Sequence, residues 1–235
     1  MSRRFVLKKD YYDEGVNLYK KKTVTINPGV TVLVGCNGIG KTTFLRQLRN
    51  KLKKSDIPYI EYDNLHDGGN NSVSEAGLNE DFAFIATAIQ SSEGENIVMN
   101  INKLASELRG FVKTGKVKEK NPFAKIFKAI NDSENEKKEF VSERWILLDA
   151  VDSGLSVDNI VEVKKLFKTI LEYNHSNDIY IVVSANEYEM ARTEQCFDVY
   201  NGKYITFRDY EDYRDMILQS SSWKMDRLVK SQTNR

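Results

Sequence analysis

The stretch GCNGIGKTT (residues 35–43) decides the fold of this chain. It fits the pattern Gly-x-x-x-x-Gly-Lys-Ser/Thr, in which glycines let the backbone fold so that its N–H groups face phosphate oxygens. The apolar run VTVLV precedes it and predicts a buried strand. The segment that follows, KTTFLRQLRNKL, has an apolar helical face made by Phe44, Leu45, Leu48 and Leu52. Strand, loop and helix thus come in the order that the pattern needs, and the stretch predicts a site for a nucleoside triphosphate.

Single residues of this loop have predicted roles. Lys41 would reach the β- and γ-phosphates, and Thr42 would bind magnesium. The expected cofactors are therefore a nucleoside triphosphate and Mg²⁺. The residues predicted to surround the nucleotide are Gly35, Asn37, Gly38, Ile39, Gly40, Lys41, Thr42 and Thr43.

Size and charge narrow the class of protein. The chain has 235 residues, 40% of them hydrophobic, which suits a single domain over residues 1–235. Its 35 basic and 34 acidic side chains nearly balance, so overall charge does not indicate a nucleic-acid protein. No apolar run has membrane-spanning length, and the first residues lack the apolar stretch of a secretion signal. Cys36 and Cys196 are far apart without metal-site spacing, so a reduced, cytoplasmic protein without a membrane partner is expected.

Strand-like and helix-like segments alternate along the rest of the chain. PYIEYD, WILLD and IYIVVSAN predict strands, TVTI and VTVLVG predict two N-terminal strands joined by a turn, and DVYNGKYITF predicts a hairpin. This order predicts an α/β fold: a largely parallel sheet flanked by helices, with an N-terminal antiparallel β portion and a C-terminal hairpin. Residues 64–143 are expected to form a variable helical and loop elaboration of the domain.

The order of the motifs resembles ABC-type P-loop ATPases, a group that includes transporter motors and the SMC and RecF-like DNA proteins. NPGVTVLVGCNGIGKTTFLRQL resembles the family's opening, and ILLDAVDSGLS resembles its magnesium-site strand and the D-loop after it. The resemblance implies that Asp149 is the magnesium acid and that the D-loop opens at Ser153. It covers residues 23–60, 88–109 and 144–207.

The stretch SSEGE, ahead of a predicted amphipathic helix, is similar to the family's signature motif. Ser92, Gly94 and Glu95 match the signature, whereas Ser91 and Glu93 depart from it. The Glu93 side chain is expected to point away from phosphate. In the family this motif binds the γ-phosphate held by a second subunit, which implies an ATP-dependent, head-to-tail homodimer. The same residues would also suit an ordinary serine cap of a helix.

The catalytic acid is an open point. In ABC-type ATPases a glutamate usually follows the magnesium aspartate and polarises the attacking water, but here Ala150 follows Asp149. Asp152 could reach the same water, because a general base must lie within hydrogen-bond distance of the proton that it takes. It could equally be a D-loop turn residue or a cap.

The family's switch histidine is also replaced. After the strand IYIVVS the chain offers Asn186, or Ser184, as a contact to the γ-phosphate, and no histidine. His66 lies in a long polar loop and is expected to be exposed. Since most phosphoryl-transfer catalysis is positioning and charge stabilisation, slow ATP hydrolysis is expected, with Lys41, Asp152 and Asn186 as catalytic residues.

The partner is not specified by the motifs. Residues 103–128 carry eight basic side chains against two acidic ones, six net positive charges that could contact a nucleic-acid backbone or form a solvated loop. The leading interpretation is a compact dimeric ATPase that could act on DNA in repair, replication or defence. An ATP-gated regulatory or structural module with little hydrolysis is the second. A P-loop kinase is the third, and it would have no use for SSEGE and SGLS.

Overall fold

The computed structural model describes residues 1–7, 18–63, 93–116, 142–172 and 178–233, with the backbone alone at 93–101, 228 and 230–233. The strands are β1 (Arg3–Val6), β2 (Thr23–Ile26), β3 (Gly29–Val34), β4 (Tyr59–Asp63), β5 (Glu143–Asp149), β6 (Asp178–Ser184), β7 (Gln195–Asp198) and β8 (Lys203–Ile205). The helices are α1 (Lys41–Lys54), α2 (Glu93–Thr114), α3 (Val157–Glu172), α4 (Tyr188–Ala191) and α5 (Tyr210–Thr233).

Six strands form one sheet in the order β4-β5-β6-β3-β7-β8. All neighbours are parallel except β8, which runs antiparallel to β7 as the predicted hairpin. The first two strands form a separate antiparallel pair, β1 with β2. β6 and β7 occupy both edges of β3, so β2 cannot pair with β3 and pairs with β1 instead. The predicted α/β class, with its antiparallel N-terminal portion and C-terminal hairpin, is confirmed.

Two apolar layers cover the two faces of the sheet. Because side chains alternate along a strand, Ile146 and Ile181 face one layer, whereas Trp145 and Tyr180 face the other. The first layer includes α2 and α3, and the second includes α1 and the β1–β2 pair. Trp145 and Tyr180 lie on adjacent strands and stack with ring centroids 4.0 Å apart. The sheet is thus held as a rigid layer between helices.

The strand order brings three chain segments to one edge of the sheet. β3, β5 and β6 are parallel, so the segments that follow them leave from the same edge. These segments begin at Gly35, Ala150 and Ala185. β6 lies between β3 and β5, so the ends of β3 and β5 are about 10 Å apart. A site that uses residues after β3 and β5 therefore has the end of β6 in its middle.

Several predictions concern residues that lie outside the described ranges. Of the expected elaboration at residues 64–143, the structure describes α2, residues 115 and 116, and the start of β5. His66 and half of the basic stretch 103–128 are outside. The single-domain interpretation stays a prediction. Among the described residues, no helix combines the length and apolar character that crossing a lipid bilayer requires.

Candidate functional site

The loop between β3 and α1 adopts a conformation that only glycines tolerate. Gly35, Gly38 and Gly40 have φ angles of 140°, 76° and 118°. A Cβ at Gly35 would lie 2.9 Å from the side chain of Ile39, so the loop could not close over a larger residue. The Gly40 carbonyl accepts from the Phe44 N–H at 2.9 Å, which starts α1. This cradle, residues 35–42, is called the phosphate loop below.

Lys41 lies at the start of α1 with its ammonium group inside the site. Its Nζ donates to the carbonyl of Gly35 at 2.7 Å, and the residue is only 8% exposed. Burial lowers the pKa of Lys41, and the nearby Cys36, Asp152 and Asp149 raise it in part. A buried cation at a helix N-terminus, bonded to a neutral carbonyl, fits a phosphate group that would give it a counter-charge.

Asp149, at the end of β5, shares a hydroxyl group with the residue that follows it. Ser184 Oγ donates to Asp149 Oδ1 and accepts from the Ala150 N–H at 3.0 Å. Ala150 has a φ of 51°, in the left-handed region that L-residues other than glycine, asparagine and aspartate seldom adopt. β6 thus fixes both the carboxylate and the strained residue at the place of the missing glutamate.

The donor set suits magnesium. Thr42 is exposed in the first turn of α1, and Asp149 is half-buried, so both offer oxygen ligands. Within the described ranges no three His, Cys, Asp or Glu side chains cluster as a metal cage. Mg²⁺ commonly takes one or two protein oxygens and completes its shell with phosphates and water. The residues present therefore fit this metal together with a nucleotide.

Asp152 is fully buried, and its two oxygens have different surroundings. Oδ2 accepts from the N–H groups of Asn186 and Glu187, each at 2.8 Å. Oδ1 has no hydrogen-bond partner among the described residues. Burial raises the pKa of Asp152, against the lowering effect of these backbone donors. The carboxylate therefore caps the turn into α4, as one prediction had it, and keeps one oxygen for a further donor.

Asn186 joins the end of β6 to the D-loop segment, residues 153–155. Its side-chain Nδ2 donates to Ser153 Oγ at 3.1 Å, and its carbonyl accepts from the Tyr213 hydroxyl at 3.1 Å. The amide is thus engaged by the D-loop segment. Its predicted contact with the γ-phosphate stays a prediction, as does the magnesium role of Thr42.

The signature stretch is only partly visible. Ser92 lies outside the described residues. α2 begins at Glu93, so Gly94 and Glu95 are in its first turn, as expected for a motif at a helix start. Their side chains are not described, and the signature stays a prediction.

The sequence reasoning missed α5, which contacts the phosphate loop. Ser220 Oγ accepts from the Cys36 N–H at 2.8 Å, and Lys224 Nζ donates to the Asn37 carbonyl at 3.0 Å. Arg227 donates to the Gly38 carbonyl at 3.3 Å. A signal was present, because residues 213, 217, 220, 224 and 227 recur at helical spacing and change from apolar to polar and basic.

No family model and no curated protein matches this chain. Among solved structures, it is similar to the ADP conformation of MJ1267, an ATP-binding cassette of an ABC transporter, with a TM-score of 0.44, 10% identity and coverage of 94% of this chain and 98% of that one. It is also similar to CbiO1 from Clostridium perfringens, part of the ABC transporter complex CbiONQ (0.40, 15%, 86% and 86%). Stu0660 of Streptococcus thermophilus follows (0.38, 11%, 89% and 77%).

The superpositions are loose and the identities low, so these likenesses carry no statement about function. The relation to the SMC and RecF-like branch stays a prediction.

Proposed function

We propose that this chain is an ABC-type ATPase that binds Mg-ATP at the phosphate loop and hydrolyses it slowly. One observation carries the proposal: two sets of polar groups lie at the same edge of the sheet. β3 leads into the glycine cradle, which contains the buried ammonium of Lys41, and β5 leads into Asp149 and Asp152. Burial lowers the pKa of Lys41, and the nearby carboxylates of Asp152 and Asp149 offset part of this lowering, which supports one shared site.

Binding would use the phosphate loop and the start of α1. The loop N–H groups and the N-terminus of α1 would face the phosphates, and Lys41 would leave the Gly35 carbonyl for phosphate oxygens. Thr42 and Asp149 would hold magnesium, which, when bound, neutralises charge that develops on the transferred phosphoryl group. Ser184 would keep the Asp149 carboxylate in place.

Hydrolysis would use Asp152 as the general base. Its Oδ2 is fixed by two backbone N–H groups, so Oδ1 would be left to accept a proton from the attacking water. Its raised pKa makes it a better proton acceptor than an exposed aspartate. Asn186 would donate to the γ-phosphate after leaving Ser153, which would couple the D-loop segment to the nucleotide.

The nucleotide would also control assembly. With Ser92, Gly94 and Glu95 as a second anion site, ATP would join two copies head to tail and its hydrolysis would release them. Action on DNA is proposed from the basic stretch 103–128 alone, whose positive charge could contact the phosphate backbone. DNA binding that depends on ATP and weakens with salt would support it, and no binding under any nucleotide would remove it.

The experiment is steady-state ATP turnover across protein concentration. We expect wild-type turnover per subunit to rise with concentration as dimers form, and Asp152→Asn to lose about 100-fold or more, the usual contribution of a general base. Glu162→Gln, which removes an exposed carboxylate paired with Lys165, is the matched control and should behave as wild type. Equal turnover in Asp152→Asn would remove Asp152 from the mechanism.

An ATP-gated module with little hydrolysis is the second candidate. Two observations favour it: Ala150 stands where the catalytic glutamate would be, and Asp152 is occupied as a cap. In the same experiment it predicts ATP binding and dimerisation with no turnover above background, in wild type and variant alike.

A further inference from the structure

α5 runs along the outside of the phosphate loop and contacts four consecutive residues of it. Ser220 accepts from the N–H of Cys36, and two cations on the next turns donate to carbonyls. The carbonyls that Lys224 and Arg227 contact are those of Asn37, Gly38 and Ile39, at 3.0, 3.3 and 3.5 Å. Both cations are partly buried, and Arg227 also donates to the Leu18 carbonyl at 3.2 Å.

These contacts fix the direction of the loop's N–H groups. In a trans peptide, the carbonyl of one residue and the N–H of the next point in opposite directions. Since the cations hold the carbonyls of Asn37 and Ile39 on the α5 side, the N–H groups of Gly38 and Gly40 point away from α5. The intervening N–H, that of Ile39, donates to the Cys36 carbonyl at 3.2 Å. Two backbone donors of the loop therefore point to the side opposite α5.

The sequence of the loop allows this approach. A Cβ at Gly38 would lie 2.9 Å from Lys224 Nζ, so a glycine at this position lets the ammonium reach the backbone. Glycine at position 38 also tolerates the left-handed φ of 76°. Lys224 and Arg227 also place two positive charges beside a loop that already contains the charge of Lys41.

We propose that Lys224 and Arg227 are positioning residues for triphosphate binding: they hold the outer carbonyls of the phosphate loop and add positive potential to its anion site. α5 then holds the phosphate loop in its binding conformation before a nucleotide binds. This inference rests on the proposed ATP-binding function. It assigns to the two cations no contact with the reacting atoms.

The test is the affinity for a fluorescent ATP analogue, measured by anisotropy at low and moderate salt. Lys224→Gln and Arg227→Gln should each weaken binding by roughly two- to fivefold, the range expected of partly exposed charged contacts, and the loss should shrink as salt rises. Lys224→Arg and Arg227→Lys should recover most of it. Turnover at saturating ATP should be unchanged, so that KM moves and kcat does not. Arg214→Gln, which removes an exposed cation paired with Glu211 on the same helix, is the matched control.

Unchanged or tighter binding in both single variants would overturn the proposal, and tighter binding would make α5 an inhibitory contact instead. Thermal unfolding without nucleotide shows whether each variant is folded, which we expect because both side chains are partly exposed. Lys41→Met distinguishes a failure of the proposed ATP-binding function from a failure of this inference. If wild type binds no triphosphate, the proposed function fails. If wild type binds, Lys41→Met does not and the α5 variants equal wild type, this inference alone fails.

Discussion

The hydroxyl of Ser184 donates to Asp149 Oδ1 and at the same time accepts from the N–H of Ala150. One side chain at the end of β6 therefore holds two neighbouring groups at the end of β5. Ser184 is 2% exposed, so the interaction is screened from water. It orients the proposed magnesium ligand and satisfies the N–H of a residue in the left-handed region.

Ser184→Ala should destabilise the protein and weaken its use of magnesium. The change leaves the half-buried Ala150 N–H without this acceptor, which costs about 1 kcal/mol of unfolding free energy, the low end for an unsatisfied donor. It also frees the Asp149 carboxylate, so half-maximal ATP binding or turnover should need more magnesium. Denaturant unfolding and a magnesium titration measure the two effects. Thr169→Ala, which removes an exposed helix hydroxyl, should change neither.

Ala150→Gly should stabilise the protein. A left-handed φ of 51° costs an alanine about 1–2 kcal/mol, and glycine removes that strain while adding about 0.5–1 kcal/mol of chain entropy to the unfolded state. The expected net gain is between zero and about 1.5 kcal/mol in unfolding free energy. A loss of stability would mean that the left-handed conformation is not kept in solution.

Ala150→Glu should raise ATP turnover above wild type. The change places a carboxylate directly after the proposed magnesium acid, where the resembled family keeps its catalytic glutamate. Ala150→Gln is the control, because it has the same shape without the proton acceptor. Equal rates in the glutamate and glutamine variants would argue that position 150 does not face the attacking water.

The stability contribution of Asp152 should depend on pH with a defined sign. Burial raises its pKa above the ordinary 3.8, so the folded state favours the protonated form, and the ionised carboxylate opposes folding at neutral pH. Relative to Asp152→Asn, wild type should therefore gain stability as pH falls from 7 towards 4. Denaturant unfolding of the two proteins at several pH values measures this difference.

Asp158→Asn is the control of opposite sign. A hydrogen bond from Ser156 lowers the pKa of this exposed carboxyl group, so wild type should lose stability relative to the variant as pH falls. Parallel trends for Asp152 and Asp158 would contradict the burial argument.

Lys41→Met should abolish stabilisation by ATP without harming the unliganded fold. Burial lowers the pKa of Lys41 below 10.5, so its charged form opposes folding at neutral pH, and that penalty fades as pH rises towards 10.5. Thermal unfolding with and without Mg-ATP shows both effects. At pH 7 the unliganded variant should be at least as stable as wild type, whereas only wild type should gain stability with nucleotide.

ATP should protect one of the two cysteines from alkylation. Cys36 is partly exposed in the phosphate loop, whereas burial raises the pKa of the Cys196 thiol to about 12 and leaves it unreactive at neutral pH. Mass spectrometry after brief labelling should therefore find the modification on Cys36, and Mg-ATP should slow it. AMP is the control, since it lacks the β- and γ-phosphates that Lys41 would contact. Equal labelling with and without ATP would place the nucleotide elsewhere.

Much of the sheet follows from local sequence. WILLD and IYIVVSAN are apolar runs of strand length, and β5 and β6 form where they predict. The phosphate loop also follows, since Gly35, Gly38 and Gly40 carry the positive φ angles that its motif implies. These features depend on residues that are neighbours in the chain, which a local pattern can record.

Other features depend on contacts between distant residues. Capping by Asp152 needs the N–H groups of Asn186 and Glu187, which are 34 and 35 positions away. The contact of Lys224 with Asn37 joins residues 187 positions apart. Helical spacing could have predicted α5, but no local pattern says which loop a helix will cover.

The position of β3 in the sheet has a consequence for how the protein is made. Gly29 pairs with Tyr180, 151 positions later in the chain, and Thr31 pairs with Gln195. At about 5–20 residues per second, the ribosome needs on the order of ten seconds to deliver these partners after β3 has emerged. During that interval the strand that leads into the phosphate loop has no neighbour in the main sheet. The sheet around the phosphate loop is therefore completed late in synthesis, and a chain released before β6 and β7 are complete would carry the glycine motif without its folded surroundings.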